Sequence, residues 1–218
     1  MKKVKYYLSF FFEIVLQKVE SQQSGTLTIS LHKGELKLST EKVIYSFGKN
    51  YSSFKYAFKK IKIEKFRVKN VLILGAGLGS IIQLLETNTG VENIIAVDND
   101  EIIINAAKQY LESDLLKKTT WTNQDAFQFM GQNEKTFDLI LFDVFIHEIT
   151  PSIFMSESFL FLLKKSLSTN GILVFSKMDT DYKLRTENEI FSLQFASIFP
   201  KNEAFNFSGN RILVAYKN

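Results

Sequence analysis

Apolar residues in this chain recur with two different periods, and the change between them divides it. From residue 24 to residue 47 the period is two. Thr26, Thr28 and Ser30 alternate with Leu27, Ile29 and Leu31, Lys33-Gly34 supplies a turn, and Glu35-Leu36-Lys37-Leu38 alternates again. Val43-Ile44-Tyr45 reads as a third short strand. From Tyr51 to Ile63 the spacing of Phe54, Ala57, Phe58 and Ile61 is helical. Beyond that point, apolar runs predict strands at 70–75, 93–98, 119–123, 137–143 and 171–177. Helical patterns fall between them, near 78–87, 100–112, 125–131, 156–167 and 183–198. Asn99 or Asp100 stands where one helix needs its N-cap, and Ser156 where another does. Asn170-Gly171 reads as a helix stop leading into Ile172-Leu173-Val174-Phe175. Ala204 to Phe207 and Arg211 to Tyr216, around Ser208-Gly209-Asn210, read as a closing hairpin.

Near-continuous apolar strands alternating with helices require a parallel sheet covered on both faces. The expected fold is α/β: a Rossmann-like, seven-stranded mixed sheet with helices on both faces, plus a small N-terminal β appendage. Residues 1–64 would form the N-terminal segment with its hairpin and helix, and residues 65–218 the Rossmann-like domain.

Composition narrows the chemistry. The absence of cysteine excludes disulfides, thiolate catalysis and Cys-ligated zinc, and fits a cytoplasmic protein. His32 and His147 are far apart, so no metal site is expected. The net charge of +4 comes from scattered lysines, with Arg67, Arg185 and Arg211 the only arginines. That leaves no concentrated phosphate track, and nucleic acid is not an expected partner. Lys2-Lys3 precede the aromatic run Tyr6-Tyr7-Leu8-Ser9-Phe10-Phe11-Phe12, which looks like the apolar region of a signal peptide. Glu13 interrupts it, Gln17-Lys18 follow, no small-residue cleavage site appears, and it is too short to span a bilayer. It reads as a packing segment, with no membrane partner. It also offers a surface for a second subunit, so a homodimer is an open arrangement.

The chemistry begins at Val71-Leu72-Ile73-Leu74-Gly75-Ala76-Gly77-Leu78-Gly79-Ser80. A buried strand, a glycine turn and a helix start let backbone N–H groups approach a ligand with no side chains in the way. Asn93-Ile94-Ile95-Ala96-Val97 ends at Asp98, about twenty residues past the turn, the spacing of a carboxylate that binds ribose hydroxyls. Asp125 follows the third strand of this series and Asp143 closes the fourth. Asp98 and Asp125 could each simply cap the helix that follows. Asp143 is harder to set aside, because an acid after a largely apolar run is costly if buried without a partner. Together the glycine turn and these acids point to a nucleoside-containing cofactor. The turn lacks a glycine at the sixth position of the dinucleotide fingerprint, which disfavours an NAD-dependent oxidoreductase.

In this order the motifs resemble class I S-adenosylmethionine-dependent methyltransferases, and within them the spermidine synthase-like branch. The matching residues are Gly75, Gly77 and Gly79; Asp98; Asp125-Ala126; Asp143; Pro151; Glu157 to Phe159; and Gly171 to Val174. The N-terminal β segment with Tyr45 is similar to that branch's β appendage. The resemblance implies a cofactor site of Gly75, Ala76, Gly77, Gly79, Asp98, Asn99, Asp125, Ala126 and Asp143. The Gly75–Gly79 backbone would line the methionine part, Asp98 would bind the ribose hydroxyls, and Asp125 the adenine amino group. Asp143 matches the acid that accepts a proton from the attacking amine in aminopropyl transfer.

Two departures separate the chain from that branch. The family's acid between the loop glycines, which helps hold the amine end of the bound ligands, is Leu78 here. The family's Asp-Ser-Ser-Asp-Pro is replaced by Asp143-Val144-Phe145-Ile146-His147-Glu148, so the second acid is missing or displaced to Glu148. A polyamine site needs several carboxylates. The expected cofactor is therefore intact S-adenosylmethionine rather than its decarboxylated form, and the expected reaction is methyl transfer to a small-molecule acceptor. Asp143, His147 and Glu148 are the candidate catalytic residues, and Tyr45 and Tyr51 are candidates for closing the acceptor pocket. Aminopropyl transfer in polyamine biosynthesis and a non-catalytic binding role are the alternatives.

Overall fold

The computed structural model describes residues 3–217 apart from Ser24, Lys42, Thr89, Glu112, His147 and Glu148. Two sheets organise the chain. After a short helix α1 (Lys3–Leu8), the strands β1 (Ile14–Ser21), β2 (Gly25–His32), β3 (Glu35–Ser39) and β4 (Ile44–Phe47) form an antiparallel meander. Helix α2 (Ser52–Ile61) leads out of it.

The second sheet holds β5 (Asn70–Leu74), β6 (Asn93–Asp98), β7 (Thr119–Asn123), β8 (Phe137–Phe142), β9 (Leu167–Met178), β10 (Asn202–Phe207) and β11 (Asn210–Tyr216). Its order is β10-β11-β9-β8-β5-β6-β7. The five strands β5 to β9 are mutually parallel, and the β10–β11 hairpin adds an antiparallel edge against β9. Helices α3 (Ser80–Leu85), α4 (Glu101–Tyr110), α5 (Ala126–Gln132), α6 (Glu157–Ser166) and α7 (Tyr182–Ile198) occupy the crossovers. This is the seven-stranded mixed sheet with a separate β appendage that the periodicities predict.

Burial on both faces explains the continuous apolar strands. Val71, Ile73, Leu139 and Leu141 share one cluster with Phe54 and Phe58 of α2 and Ile81 and Ile82 of α3. Leu72, Leu74, Ile140 and Phe142 point the other way, toward Met130 of α5, Phe159 of α6 and Phe195 of α7. Each such side chain contributes about 1.5–3 kcal/mol when fully buried. A third cluster joins the two sheets: Leu27, Ile29, Leu36 and Leu38 meet Leu78, Ile103, Ala106 and Ala107. Hydroxyl contacts reinforce that joint. Ser46 and Ser80 Oγ lie 2.6 Å apart, Phe47 N–H donates to Ser80 Oγ, and Ser21 Oγ donates to Asp100.

Three features depart from the sequence reading. Strand β1 has no clean period of two, because a register shift between Val15 and Gln17 puts Ile14, Leu16, Val19 and Ser21 on its less exposed side. Asn170-Gly171 does not stop a helix. The helix ends at Ser166, and the chain enters β9 directly. Phe137 pairs with Leu167 but Leu139 with Ile172, so residues 168–171 bulge out, with Asn170 at φ 64°. The aromatic N-terminal run packs only in part: Ser9 is buried, accepts from Lys33 and Gly34 N–H and brings Tyr6 and Phe10 against that turn, whereas Phe11 is 80% and Phe12 69% exposed. Among the described residues, no helix is long and apolar enough to cross a membrane.

Candidate functional site

The sheet switches direction at β5, whose neighbours are β6 on one side and β8 on the other. Ligand crevices in open α/β sheets form outside the carboxyl ends of strands at such a point. Here a crevice of about 300 Å³ opens there.

The glycine turn forms its floor. Gly75, Gly77 and Gly79 have φ of 82°, 53° and 81°, a region side chains disfavour. At Gly75 a Cβ would stand 2.5 Å from the Asp143 carbonyl oxygen, so the glycine lets the end of β5 lie against the end of β8. The N–H groups of Gly75 and Ala76 donate to the Val97 carbonyl, drawing the turn across the end of β6. Gly77 N–H donates to Asp98 Oδ2 at 2.9 Å, and Asp100 N–H to Asp98 Oδ1 at 3.1 Å. Asp98 is thus not a helix cap. That role belongs to Asp100, whose Oδ1 accepts from Ile102 and Ile103 N–H. Asp98 also lines the crevice. Burial raises Asp98 to about 6, with the Asp100 charge adding to it and the Gly77 and Asp100 N–H groups opposing it.

Asp125 does cap α5. Its Oδ1 accepts from Phe127 N–H at 2.9 Å and Gln128 N–H at 3.1 Å, and the residue also lines the crevice. Oδ1 is committed to the helix, and Oδ2 takes no part in the cap.

Asp143 is 7% exposed. Tyr51 Oη donates to its Oδ2 at 2.6 Å, while Oδ1 is buried with no hydrogen-bond partner. Burial raises Asp143 to about 7, against the lowering effect of the Tyr51 and Ser176 hydroxyls. Tyr51 is itself pushed well above its ordinary value, by burial first and then by the Asp143 charge. The pair is a neutral phenol beside a buried carboxyl poised to change state near neutrality.

Eight of the sequence-derived site residues line this one crevice: Tyr45, Gly75, Gly77, Asp98, Asn99, Asp125, Ala126 and Asp143. Tyr51 reaches it through Asp143. Ala76 is buried beneath the turn, and Gly79 caps α3 facing Leu111, so neither reaches the surface of the crevice. His147 and Glu148 lie outside the described residues. Sequence reasoning missed Gln23, which follows the unrecognised strand β1, and Phe145, whose ring stacks on Tyr45 at 5.1 Å and 9°. Four aspartates (98, 100, 125 and 143) and no described lysine or arginine line the crevice. Such a site attracts a cationic ligand such as a sulfonium. The glycine cradle, the free Asp125 oxygen and the acidic lining all suit an adenosyl sulfonium compound.

Comparison with known proteins agrees with this geometry. The chain is 28% identical over 155 residues to the polyamine aminopropyltransferase of Vibrio vulnificus, a stretch covering 67% of this chain and 50% of that protein. It is 29% identical over 141 residues to the eEF1A lysine and N-terminal methyltransferase homolog of Drosophila pseudoobscura pseudoobscura, covering 61% of this chain and 20% of that one. The chain therefore spans half or less of the length of these curated relatives. The spermidine synthase structure from Thermotoga maritima superposes with a TM-score of 0.72 at 18% identity, over 94% of this chain and 73% of that one. A family model described as the spermine/spermidine synthase domain matches residues 56–202, and the chain belongs to that family.

Proposed function

We propose that this protein is an S-adenosylmethionine-dependent methyltransferase built on the spermine/spermidine synthase scaffold. The observation that carries this reading is Leu78. It is 2% exposed and packed against Leu27, Ile29, Leu38, Ile103 and Ala107. An acid between the loop glycines would repel the carboxylate of intact S-adenosylmethionine and attract the amine end of the decarboxylated form. An apolar side chain buried between the two sheets does neither.

The bound cofactor would supply an electrophilic methyl carbon on a sulfonium. The chain's residues supply the rest. The Gly75 and Gly77 backbone gives close approach, Asp98 holds ribose hydroxyls, and the uncommitted oxygen of Asp125 takes the adenine amino group. Asp143, held by Tyr51 through Oδ2, would accept a proton from the acceptor. Orientation of that nucleophile contributes most of the rate.

Calorimetric titration with S-adenosylmethionine and with its decarboxylated form tests the assignment. Tighter binding of the intact form and S-adenosylhomocysteine as product support it. Tighter binding of the decarboxylated form, with 5′-methylthioadenosine as product, supports aminopropyl transfer instead. That second reading is favoured by the four aspartates of the crevice and by the similarity to the polyamine aminopropyltransferase of Vibrio vulnificus.

A further inference from the structure

We propose that the solvent face of helix α2, with the segment that follows it, binds the phosphate backbone of a nucleic acid without reading its sequence. Helix α2 contributes no residue to the crevice lining, so this surface and the adenosyl site stand independently.

Between residues 55 and 67, six cations (Lys55, Lys59, Lys60, Lys62, Lys65 and Arg67) stand against one acid, Glu64. That excess of five is larger than the +4 of the whole chain, so the rest of the protein is close to neutral. Along the sequence apolar residues interrupt these cations, and they read as scattered. The fold gathers them. Phe54, Ala57, Phe58 and Ile61 turn inward from α2, and all six cations are left exposed. None is in an ion pair with an acid among the described residues. Strand β10 lies beside α2, where Tyr56 stacks on Phe207 and Lys60 Nζ stands 5.0 Å from the centre of the Phe205 ring. The acid of that strand, Glu203, accepts from Tyr216 Oη. The helix dipole favours Lys59 and Lys60 in the last turn of α2. It does not account for Lys55 a turn earlier, or for Lys65 and Arg67 beyond the helix.

The chemistry of the face selects among polyanions. Lasting attachment to a bilayer takes an apolar insertion as well as charge, and a protein partner takes aromatic or apolar anchors at the centre of the patch. Among the described residues from 45 to 101, no large apolar side chain is exposed. Protein interfaces are also depleted of lysine, which supplies five of the six cations here. A nucleic acid asks only for point charges that displace its condensed counterions. Lysine brings that charge without the planar fork with which arginine reads a base edge, so affinity comes with no preference for sequence.

The test is fluorescence anisotropy of a fluorescein-labelled single-stranded RNA of about 20 nucleotides, titrated with the full chain between about 50 and about 200 mM salt. The same strand as DNA, and as a duplex, is titrated beside it. All three forms bind, since each carries the phosphates. With six cations engaged, the logarithm of the association constant falls against the logarithm of salt with a slope of about −4 on the single strand. K55Q/K59Q/K62Q removes half of the face, brings the slope to about −2 and weakens binding at least about tenfold at the lower salt. K108Q/K135Q/K183Q removes the same charge from exposed lysines elsewhere and keeps the parent slope. Both variants keep the parent melting temperature and the parent response to S-adenosylhomocysteine. Absence of binding at about 50 mM salt overturns the inference, as does binding confined to one nucleic-acid form or to one sequence. So do equal losses in the two triple variants, or K55Q/K59Q/K62Q retaining the parent affinity. Displacement of the RNA by polyglutamate or by phosphatidylserine vesicles, as effectively per charge as by unlabelled RNA, overturns it in favour of an acidic protein or a lipid surface.

Discussion

Replacing Asp143 with asparagine separates the energetic consequence of this acid from its chemical use. The side chain is buried, holds the Tyr51 hydroxyl on one oxygen, and is raised to about 7. An ordinary aspartate titrates near 3.9 in an unfolded chain. With the folded value above the unfolded one, the folded protein keeps a proton that the unfolded chain has already lost. The stabilisation from the protonated form is complete below about pH 4 and is lost as pH rises toward about 7, above which a buried charge remains. Roughly three pKa units at about 1.36 kcal/mol each set a ceiling of ~4 kcal/mol. Asparagine keeps an oxygen for Tyr51 and carries no charge. Its amide N–H₂ meets the place where Oδ1 has no partner, a penalty independent of pH. Urea unfolding of both proteins without ligand, at about pH 5 and about pH 8, gives the relevant difference. The stability of D143N relative to the parent rises by about 2–3 kcal/mol between the two, while methyl transfer is lost. Asp98, raised to about 6, titrates in both proteins and cancels. A stability difference that does not change with pH refutes the reasoning.

Y51F removes the hydroxyl that lowers Asp143, so the midpoint of the kcat/KM against pH profile moves to higher pH, and rate returns in alkaline buffer. An unmoved midpoint counts against the pairing. L78D puts a carboxylate into the apolar joint of Leu27, Ile29, Leu38 and Ile103, and loses on the order of 3–5 kcal/mol in urea unfolding. For Asp125, D125S retains a helix-capping oxygen and stability within about 0.5 kcal/mol of the parent, whereas D125A loses about 1 kcal/mol. Both weaken S-adenosylhomocysteine in calorimetry, and equal affinity for D125S and the parent contradicts a contact to the ligand.

The sequence shows most where one physical demand acts alone. Strands β5 and β8 are buried on both faces, so Val71–Leu74 and Leu139–Phe142 are unbroken apolar runs. The caps Asp100 and Ser156 are visible for the same reason, since a short acceptor must stand at the helix start. Where two demands meet, the pattern blurs. The shift after Val15 breaks the alternation of β1, and with β1 hidden, Gln23 has no visible route to the crevice. Asn170-Gly171 carries the chemistry of a helix stop, but the same left-handed backbone also serves a strand bulge. Phe145 looks like an ordinary apolar loop residue. Only the approach of β4, fixed by the Ser46–Ser80 and Leu78 contacts, gives it Tyr45 as a neighbour. For Asp125 the capping and ligand readings compete in sequence, and its two oxygens let the structure accommodate both.

The Tyr51–Asp143 bond spans 92 positions, and helix α2, which follows the phenol, contributes no residue to the crevice lining. Exchange at Tyr51 can therefore retune the acidity of the base while Gly77 N–H and Asp98 keep their own bond. A lineage with this division of labour can drift from one acceptor to another without passing through a form that no longer holds its donor.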